Sequence, residues 1–134
     1  MQLSDVLDSL SGHGGSFEAR LTEDWAQGRS IFGGIQAALA VRGMRKVLST
    51  EAPLRSLQTT FVAPVAPGAV QLESRVLRAG KNVAHAESRL TAGGVTACVV
   101  IGVFGEPRHS VAEIIPKEPA LHGENASPTP LPSA

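Results

Sequence analysis

The sequence predicts an α+β domain in which an antiparallel sheet curls around one long helix. Three observations carry this expectation. Residues 30–49, SIFGGIQAALAVRGMRKVLS, form a long apolar stretch of helical texture. After Pro53 the hydrophobic period changes to two and stays so through four strand-like stretches. The chain has 134 residues, 43% of them hydrophobic and 18% charged, enough for one domain with a real core.

The elements follow in order. Leu3, Val6, Leu7 and Leu10 stand at helical spacing behind Ser4, a candidate cap, and predict a short amphipathic helix over residues 1–10. The glycines of the 12–15 segment break it. From Ser16 to Thr22, Phe17, Ala19 and Leu21 alternate with Glu18 and Arg20, the pattern of a strand with one buried face. The long helix is predicted from a Ser30 cap to Ser49, about 30 Å, stopping ahead of Pro53. Between Ile31 and Val41 Gln36 is the one strongly polar side chain, so this half is expected to be enclosed on nearly all sides. Arg42, Arg45 and Lys46 return the second half to solvent, near the helix end whose dipole favours cations.

Strands are predicted over 54–63, 69–78, 83–91 and 95–104, separated by APVAPG (63–68), Gly80-Lys81-Asn82 and Gly93-Gly94. The last two breaks are short enough for hairpins, and a meander results. In the final strand, VTACVVIGVF, both faces are apolar, as expected of a central strand or one that meets a partner subunit. One strand, an enclosed helix and a four-strand meander can hide their apolar faces only if the sheet wraps the helix. This is the hot-dog architecture. Such sheets continue across a dimer interface, so a homodimer or a two-domain pseudo-dimer is expected. Residues 1–105 are read as this single domain. Residues 106–134 hold six prolines and read as a tail or linker: a frayed terminus and a connection to a further domain both fit.

Composition narrows the function. Twelve Lys and Arg against twelve Asp and Glu give zero formal net charge, which supplies no overall attraction to nucleic acid or an anionic membrane. No apolar run reaches the roughly 18–20 residues of a membrane span, and MQLSDVLDSL carries acids where a signal peptide carries bases. A cytoplasmic location is expected. The single cysteine, Cys98, lies in an apolar strand and reads as an inert buried thiol. His13, His109 and His122 form no metal-ligand pattern, and neither metal nor cofactor is expected.

The sharpest local signal is Phe32-Gly33-Gly34 at the start of the helix. Paired glycines let a ligand or another backbone approach closely, and a first helical turn favours a carbonyl oxygen or phosphate. Close packing of helix on sheet is the competing explanation. Gln36 lies one turn on and suits the orientation of water, or else is a hydrogen-bonded core amide. Asp24, beside Glu23, precedes the helix and is either an acid for the site or a solvated turn residue. Gln58, Thr59 and Thr60 follow on the next strand as polar candidates or plain strand residues. His85 has no Ser or Asp partner at a recognisable spacing and reads as a surface histidine. Arg78, Gly80, Lys81 and Asn82 make a turn with two cations, suited to phosphates or merely a charged turn.

Three segments then coincide with a known pattern: W-A-Q-G-R-S-I-F-G-G-I-Q-A-A-L-A, P-L-R-S-L-Q-T-T-F-V-A-P-V-A-P-G and V-L-R-A-G-K-N-V. With their Phe-Gly-Gly helix start, F-x-x-P strand end and R-x-G-[KR]-[NS] hairpin, residues Trp25 to Phe104 resemble the N-terminal hot-dog repeat of the acyl-CoA thioesterase II (TesB-like) family. The resemblance implies hydrolysis of acyl-CoA, with the acyl chain along the helix and the CoA portion across the sheet edge. It makes Gly34, Gln36 and Asp24 catalytic candidates, and Phe32, Gly33, Thr60, Arg78, Gly80, Lys81 and Asn82 candidates for substrate binding. Family enzymes carry two fused repeats with catalytic Asp, Thr and Gln in the second. Single-repeat relatives place an acid one to two turns into the helix, where this chain has Leu39, Ala40 and Val41, and no carboxylate lies between Ile31 and Thr50. A catalytically degenerate domain that binds acyl-CoA or serves in dimerisation is therefore the alternative. A hot-dog dehydratase is disfavoured, because no His and acid stand near the helix.

Overall fold

The computed structural model describes residues 2–28 and 30–107. Past Pro107, the expected Pro-rich tail lies outside the described residues, as do His109 and His122. In chain order come α1 (Leu3–Asp8), β1 (Ser11–His13), β2 (Ser16–Leu21), β3 (Ala26–Gln27), β4 (Ser30–Ile31), α2 (Gly33–Leu48), β5 (Leu54–Phe61), β6 (Gly68–Ala79), β7 (Val83–Ala92) and β8 (Val95–Gly105). Six strands form one antiparallel sheet in the order β1-β2-β6-β7-β8-β5, and α2 lies against β6, β7 and β8. β3 and β4 make a separate two-stranded ribbon ahead of α2. The hot-dog architecture is present.

Sequence chemistry explains the turns. β1–β2 and β7–β8 are joined by Gly14-Gly15 and Gly93-Gly94, each pair with both φ angles positive, between 59° and 88°. Two such residues fit a type I′ turn, whose twist matches that of the strands it joins. The segment read as a helix breaker thus also builds a hairpin. Along β2 the burial alternates strictly, with Phe17, Ala19 and Leu21 inward. On β8 the inward set is Cys98, Val100, Gly102 and Phe104, in register with β7 on one side and β5 on the other. β8 is a central strand, which is why its sequence is apolar throughout.

The helix meets the sheet where side chains are small. A Cβ on Gly43 would lie 2.4 Å from Ser74 Oγ and 2.6 Å from Leu72 Cδ2, and one on Gly102 would lie 2.7 Å from Met44 Sδ. At this contact the Ser88 hydroxyl donates to the Ala40 carbonyl at 2.9 Å. Its single proton is then used, so the Ser74 hydroxyl donates to Ser88 Oγ at 2.6 Å. Two buried serines are thereby satisfied between helix and sheet, where an unmade bond would cost ~1–3 kcal/mol. Around this line sit Ile35, Leu39, Leu72, Leu90, Val100 and Phe104, all essentially inaccessible to water.

Four expectations need correction. The first helix begins at Leu3, with Gln2 rather than Ser4 as its cap, because Asp5 reaches back to the Gln2 N–H at 3.0 Å. α2 begins at Gly33, capped by Phe32 rather than Ser30. Ser30 is taken by the loop that follows β5: its hydroxyl accepts the Val65 N–H at 3.1 Å, and Ile31 N donates to the Val65 carbonyl at 2.7 Å. These bonds hold Ser30–Ile31 extended. The helix is not enclosed all round, since the sheet covers Ile35, Gln36, Leu39, Ala40, Gly43 and Met44, while Gly33, Ala37, Ala38 and Val41 remain half-buried and Gly34 exposed. Finally, the meander has three strands, β6-β7-β8. β5 pairs with β8 instead of β6, because residues 62–67 cross the end of the sheet, with Val62 N and Ala63 N both bonded to the Ala97 carbonyl.

Gly43→Val tests the close helix–sheet contact. Valine has a higher helix propensity than glycine, so any loss measures crowding. We expect destabilisation by roughly 1–3 kcal/mol, read as a lower urea midpoint at unchanged slope. An unchanged midpoint would show that helix and sheet can separate without cost.

Candidate functional site

The ribbon β3–β4 sets the entrance to α2. Phe32 N donates to the Trp25 carbonyl at 2.8 Å, so the 3-10 turn Glu23–Trp25 is strapped beside the first residue of the helix. Asp24 is exposed on that turn and accepts the Thr22 hydroxyl. Both glycines are crowded by aromatic rings. A Cβ on Gly33 would lie 2.7 Å from Phe61 Cζ, and one on Gly34 would lie 2.4 Å from Phe32 Cε2. Here glycine is required for two phenyl rings to lie against the first turn, which accounts for Phe-Gly-Gly and the distant Phe61 together.

Gln36 is 2% exposed. Its Nε2 donates to the Ile31 carbonyl at 3.0 Å, tying the first turn of α2 to β4. Its Oε1 is buried without a hydrogen-bond donor among the described residues. A buried, unshared amide oxygen costs free energy unless something donates to it, and marks the place where a ligand or water N–H or O–H is favoured.

From Gly34 a groove of about 430 Å³ runs along the uncovered face of α2, floored by Ala37, Ala38 and Val41 and walled by Leu7 and Leu57. Arg42 and Arg45 close its far end. Arg42 is paired with Asp8 at 3.2 Å, and Arg45 donates to the Ala52 carbonyl at 2.8 Å and lies over the Phe104 ring. The groove has a floor of small side chains and an apolar wall. The family resemblance implies a ligand along this helix, but residue periodicity alone does not say which of its faces stays uncovered.

Arg78, Gly80, Lys81 and Asn82 do come together, around a cavity of about 350 Å³ at the β6–β7 turn, with Val83 and His85. His85, read above as a surface residue, faces Arg78 across the hairpin, because a bulge after Val76 brings the two into register. This turn and the Phe32–Gly34 entrance occupy opposite ends of one sheet: Val83 pairs with Gly105 and Leu54 with Phe104, whereas Gly33 abuts Phe61. Seven residue steps of β5 separate those ends, roughly 23 Å. Thr60 is not brought to the helix. It pairs with Val99 on the outer face, whereas Leu57, Thr59 and Phe61 share the parity that faces α2.

The described residues hold no group of three or more His, Cys, Asp or Glu placed to bind a metal. No helix among them is long and apolar enough to cross a membrane. Cys98 is fully buried, and burial pushes its thiol up to about 11.

Against known proteins, the fold is that of the thioesterase-superfamily hot-dog domains. The chain superposes on a candidate thioesterase II of Thermobifida fusca with a TM-score of 0.73 at 17% identity, covering 84% of this chain and 42% of that one. A hot-dog protein of unknown function from Alicyclobacillus acidocaldarius also gives 0.73, at 22% identity, covering 98% of this chain and 52% of that one. A Bacillus halodurans protein solved with CoA gives 0.63 at 17% identity, covering 72% of this chain and 70% of that one. Residues 21–105 match the acyl-CoA thioesterase N-terminal domain family, and the chain belongs to it. Uncharacterised proteins of Mycobacterium bovis and Mycobacterium tuberculosis are 30% identical over 98 residues, 69% of this chain. The chain spans about a third of their length, 34%.

The buried thiol makes its own prediction. With its folded value at about 11 against an ordinary 9.0, the native state holds the proton longer than the unfolded chain. Its contribution is therefore complete below pH 9.0 and is lost as pH rises towards 11. In native protein at pH 8 a thiol reagent should label Cys98 only as fast as the chain unfolds; rapid labelling would show an accessible thiolate.

Proposed function

We propose that this chain is one hot-dog module of a cytoplasmic, TesB-like acyl-CoA thioesterase that works with a second module paired along β5. The observation that carries the reading is the apolar groove on α2, which opens at Gly34 at the start of the helix; Gln36 is buried on the covered side of the same turn and does not line it. The acyl chain lies along Ala37, Ala38 and Val41. At the entrance, Phe32 and Gly33 position the thioester against the first helical turn, whose N–H groups and dipole favour the oxyanion formed as water adds to the carbonyl carbon. The C–S bond then breaks and CoA leaves as a thiol. Gln36 braces that turn through its bond to the Ile31 carbonyl; Asp24, strapped beside Phe32, is this chain's candidate for the proton.

A second module resolves the separation of the two polar sites. Antiparallel pairing of β5 with a second β5 would bring the partner's Leu54 end beside this chain's Phe61 end. The partner's Arg78–His85 turn would then lie about three strand spacings, roughly 14 Å, from this chain's Gly33–Gly34. CoA phosphates bound there leave the pantetheine arm to reach the helix. Exposed Leu57, Phe61 and Val62 on and just past β5 favour burial against such a partner, a second copy or a fused second repeat. One observation favours a second reading, an acyl-CoA-binding or dimerisation module without turnover: α2 carries no carboxylate, and Asp24 stands exposed.

Release of free CoA from a panel of acyl-CoA thioesters, read with a thiol reagent, tests the proposal. Gln36→Ala should lower kcat by roughly tenfold to hundredfold with little change in KM. Lys81→Ala or Arg78→Ala should raise KM and weaken its dependence on salt. Binding of CoA without turnover of any ester would establish the second reading, and no binding at all would overturn both.

A further inference from the structure

The far end of the α2 groove is built of charge. Gly34, Ala37, Ala38, Val41, Arg42 and Arg45 line it at steps of three, four or one residues, so they form one stripe along the helix. The stripe starts small and apolar at Gly34 and ends in two guanidinium groups, with Arg45 roughly 16 Å further along the axis. β5 follows the same course. Gly33 abuts the Phe61 ring at one end, Leu57 walls the middle, and at the other end Arg45 lies over Phe104, the partner of Leu54 in the β5–β8 ladder.

The two arginines differ in what holds them. Arg42 is paired with Asp8 of α1 at 3.2 Å, but both side chains are exposed and such a pair is weak. Arg45 is half-buried. Its Nη1 donates to the carbonyls of Thr50 at 3.4 Å and Ala52 at 2.8 Å, and its guanidinium carbon stands 4.8 Å from the centre of the Phe104 ring. These partners are neutral. Among the described residues no carboxylate forms an ion pair with Arg45, and its Nε and Nη2 protons have no acceptor. Glu51 is exposed and lines a cavity beyond the arginines, with Lys46, Ser49 and Thr50. Two acids, Asp8 and Glu51, therefore stand against three cations, Arg42, Arg45 and Lys46, at this end of the helix.

We propose that the groove takes an ω-carboxyacyl-CoA, the monothioester of a straight-chain α,ω-dicarboxylic acid, with its free carboxylate on Arg45 and Arg42 and its methylene chain along Ala37, Ala38 and Val41. The inference rests on the reading of this groove as the acyl site and adds what stands at the end of the acyl chain. A methyl terminus would cover the half-buried guanidinium without offering it an acceptor, and a charge so covered is costly. A carboxylate accepts two N–H groups of one guanidinium, which makes the same contact favourable. Length follows from the helix. An extended chain advances about 1.2 Å per bond, about a third of a peptide residue's span, so roughly 16 Å less the reach of the guanidinium corresponds to roughly ten to twelve carbons. The Arg78–His85 turn shares no residue with this end of the groove.

Calorimetry on the full chain with S-alkyl-CoA thioethers, which cannot be hydrolysed, tests the inference apart from turnover. Decyl-CoA is compared with its ω-carboxy counterpart and with shorter and longer ω-carboxy thioethers. The carboxylate should tighten binding roughly tenfold at the matching length. That gain should shrink for chains too short to reach Arg45, and it should fall with added salt. Arg45→Gln should bring the ratio of the two decyl affinities to about one, and Arg45→Lys should restore part of it, since an ammonium keeps the charge without the fork. The length and salt dependence need no substitution, so they decide the matter even where Arg45→Gln does not fold. Equal affinity for the two decyl ligands, a gain independent of chain length, or a gain that Arg45→Gln leaves intact would each overturn this inference while the acyl site stands. The expected preference without release of CoA from the matching esters would instead overturn hydrolysis and uphold this inference. Binding of neither thioether overturns both.

Discussion

The contact of α2 with β6, β7 and β8 is the constraint on which the remaining structure depends. Gly43 and Gly102 remove the side chains that would hold helix and sheet apart, and the Ser74–Ser88–Ala40 bonds satisfy polar groups inside the seam. Because the seam is tight, the helix cannot rotate about its own axis. Its rotation decides which residues meet the sheet and which remain outside it, and so turns Gly34, Ala37, Ala38 and Val41 into the floor of a groove. A helix standing a few ångströms further off would bury these residues less selectively and leave no shaped apolar trough.

The same constraint sets the chemistry at the entrance. With α2 fixed, its first turn must be reached by a chain that leaves β2 at the sheet edge, and the ribbon Ala26–Gln27 with Ser30–Ile31 makes that connection. Its hydrogen bonds to Val65 come from far away in sequence, and Gln36 adds one from five residues on. Glycine at 33 and 34 then answers to the rings of Phe61 and Phe32. Packing by the two rings is thus what the paired glycines serve in this structure.

Polar groups are distributed between the two ends of the sheet. One end holds the helix start, Gln36 and the Trp25 strap; the other holds the Arg78–His85 turn. A single chain therefore keeps its cationic turn and its helix start apart, while a sheet continued through β5 would alternate them. The exposed apolar side chains along β5 and the half-buried face of α2 point to the same incompleteness, since a hydrophobic sheet edge and an uncovered helix stripe are seldom left to water.

Much of the architecture was legible in the residues. Alternation in β2, β6 and β7, the doubly apolar β8, the Gly-Gly turns and the long apolar helix each reflect a local preference that tertiary structure did not override. The cationic turn and buried Gln36 could be read in the same way, from residue type and spacing. What the residues could not disclose was set by partners distant in sequence. Ser30 looks like a cap until Val65 claims its hydroxyl, and β5 looks like the first strand of a meander until it pairs with β8. Thr60 looks interchangeable with Thr59 until pairing with β8 assigns their faces. His85 joins Arg78 only through a bulge, and the groove exists only because the sheet covers one side of a helix that is apolar on several. Local sequence determined the elements, because propensity and hydrophobic period act over a few residues. Tertiary structure decided register, rotation and the side chains that share a site, because those depend on which surfaces exclude water together.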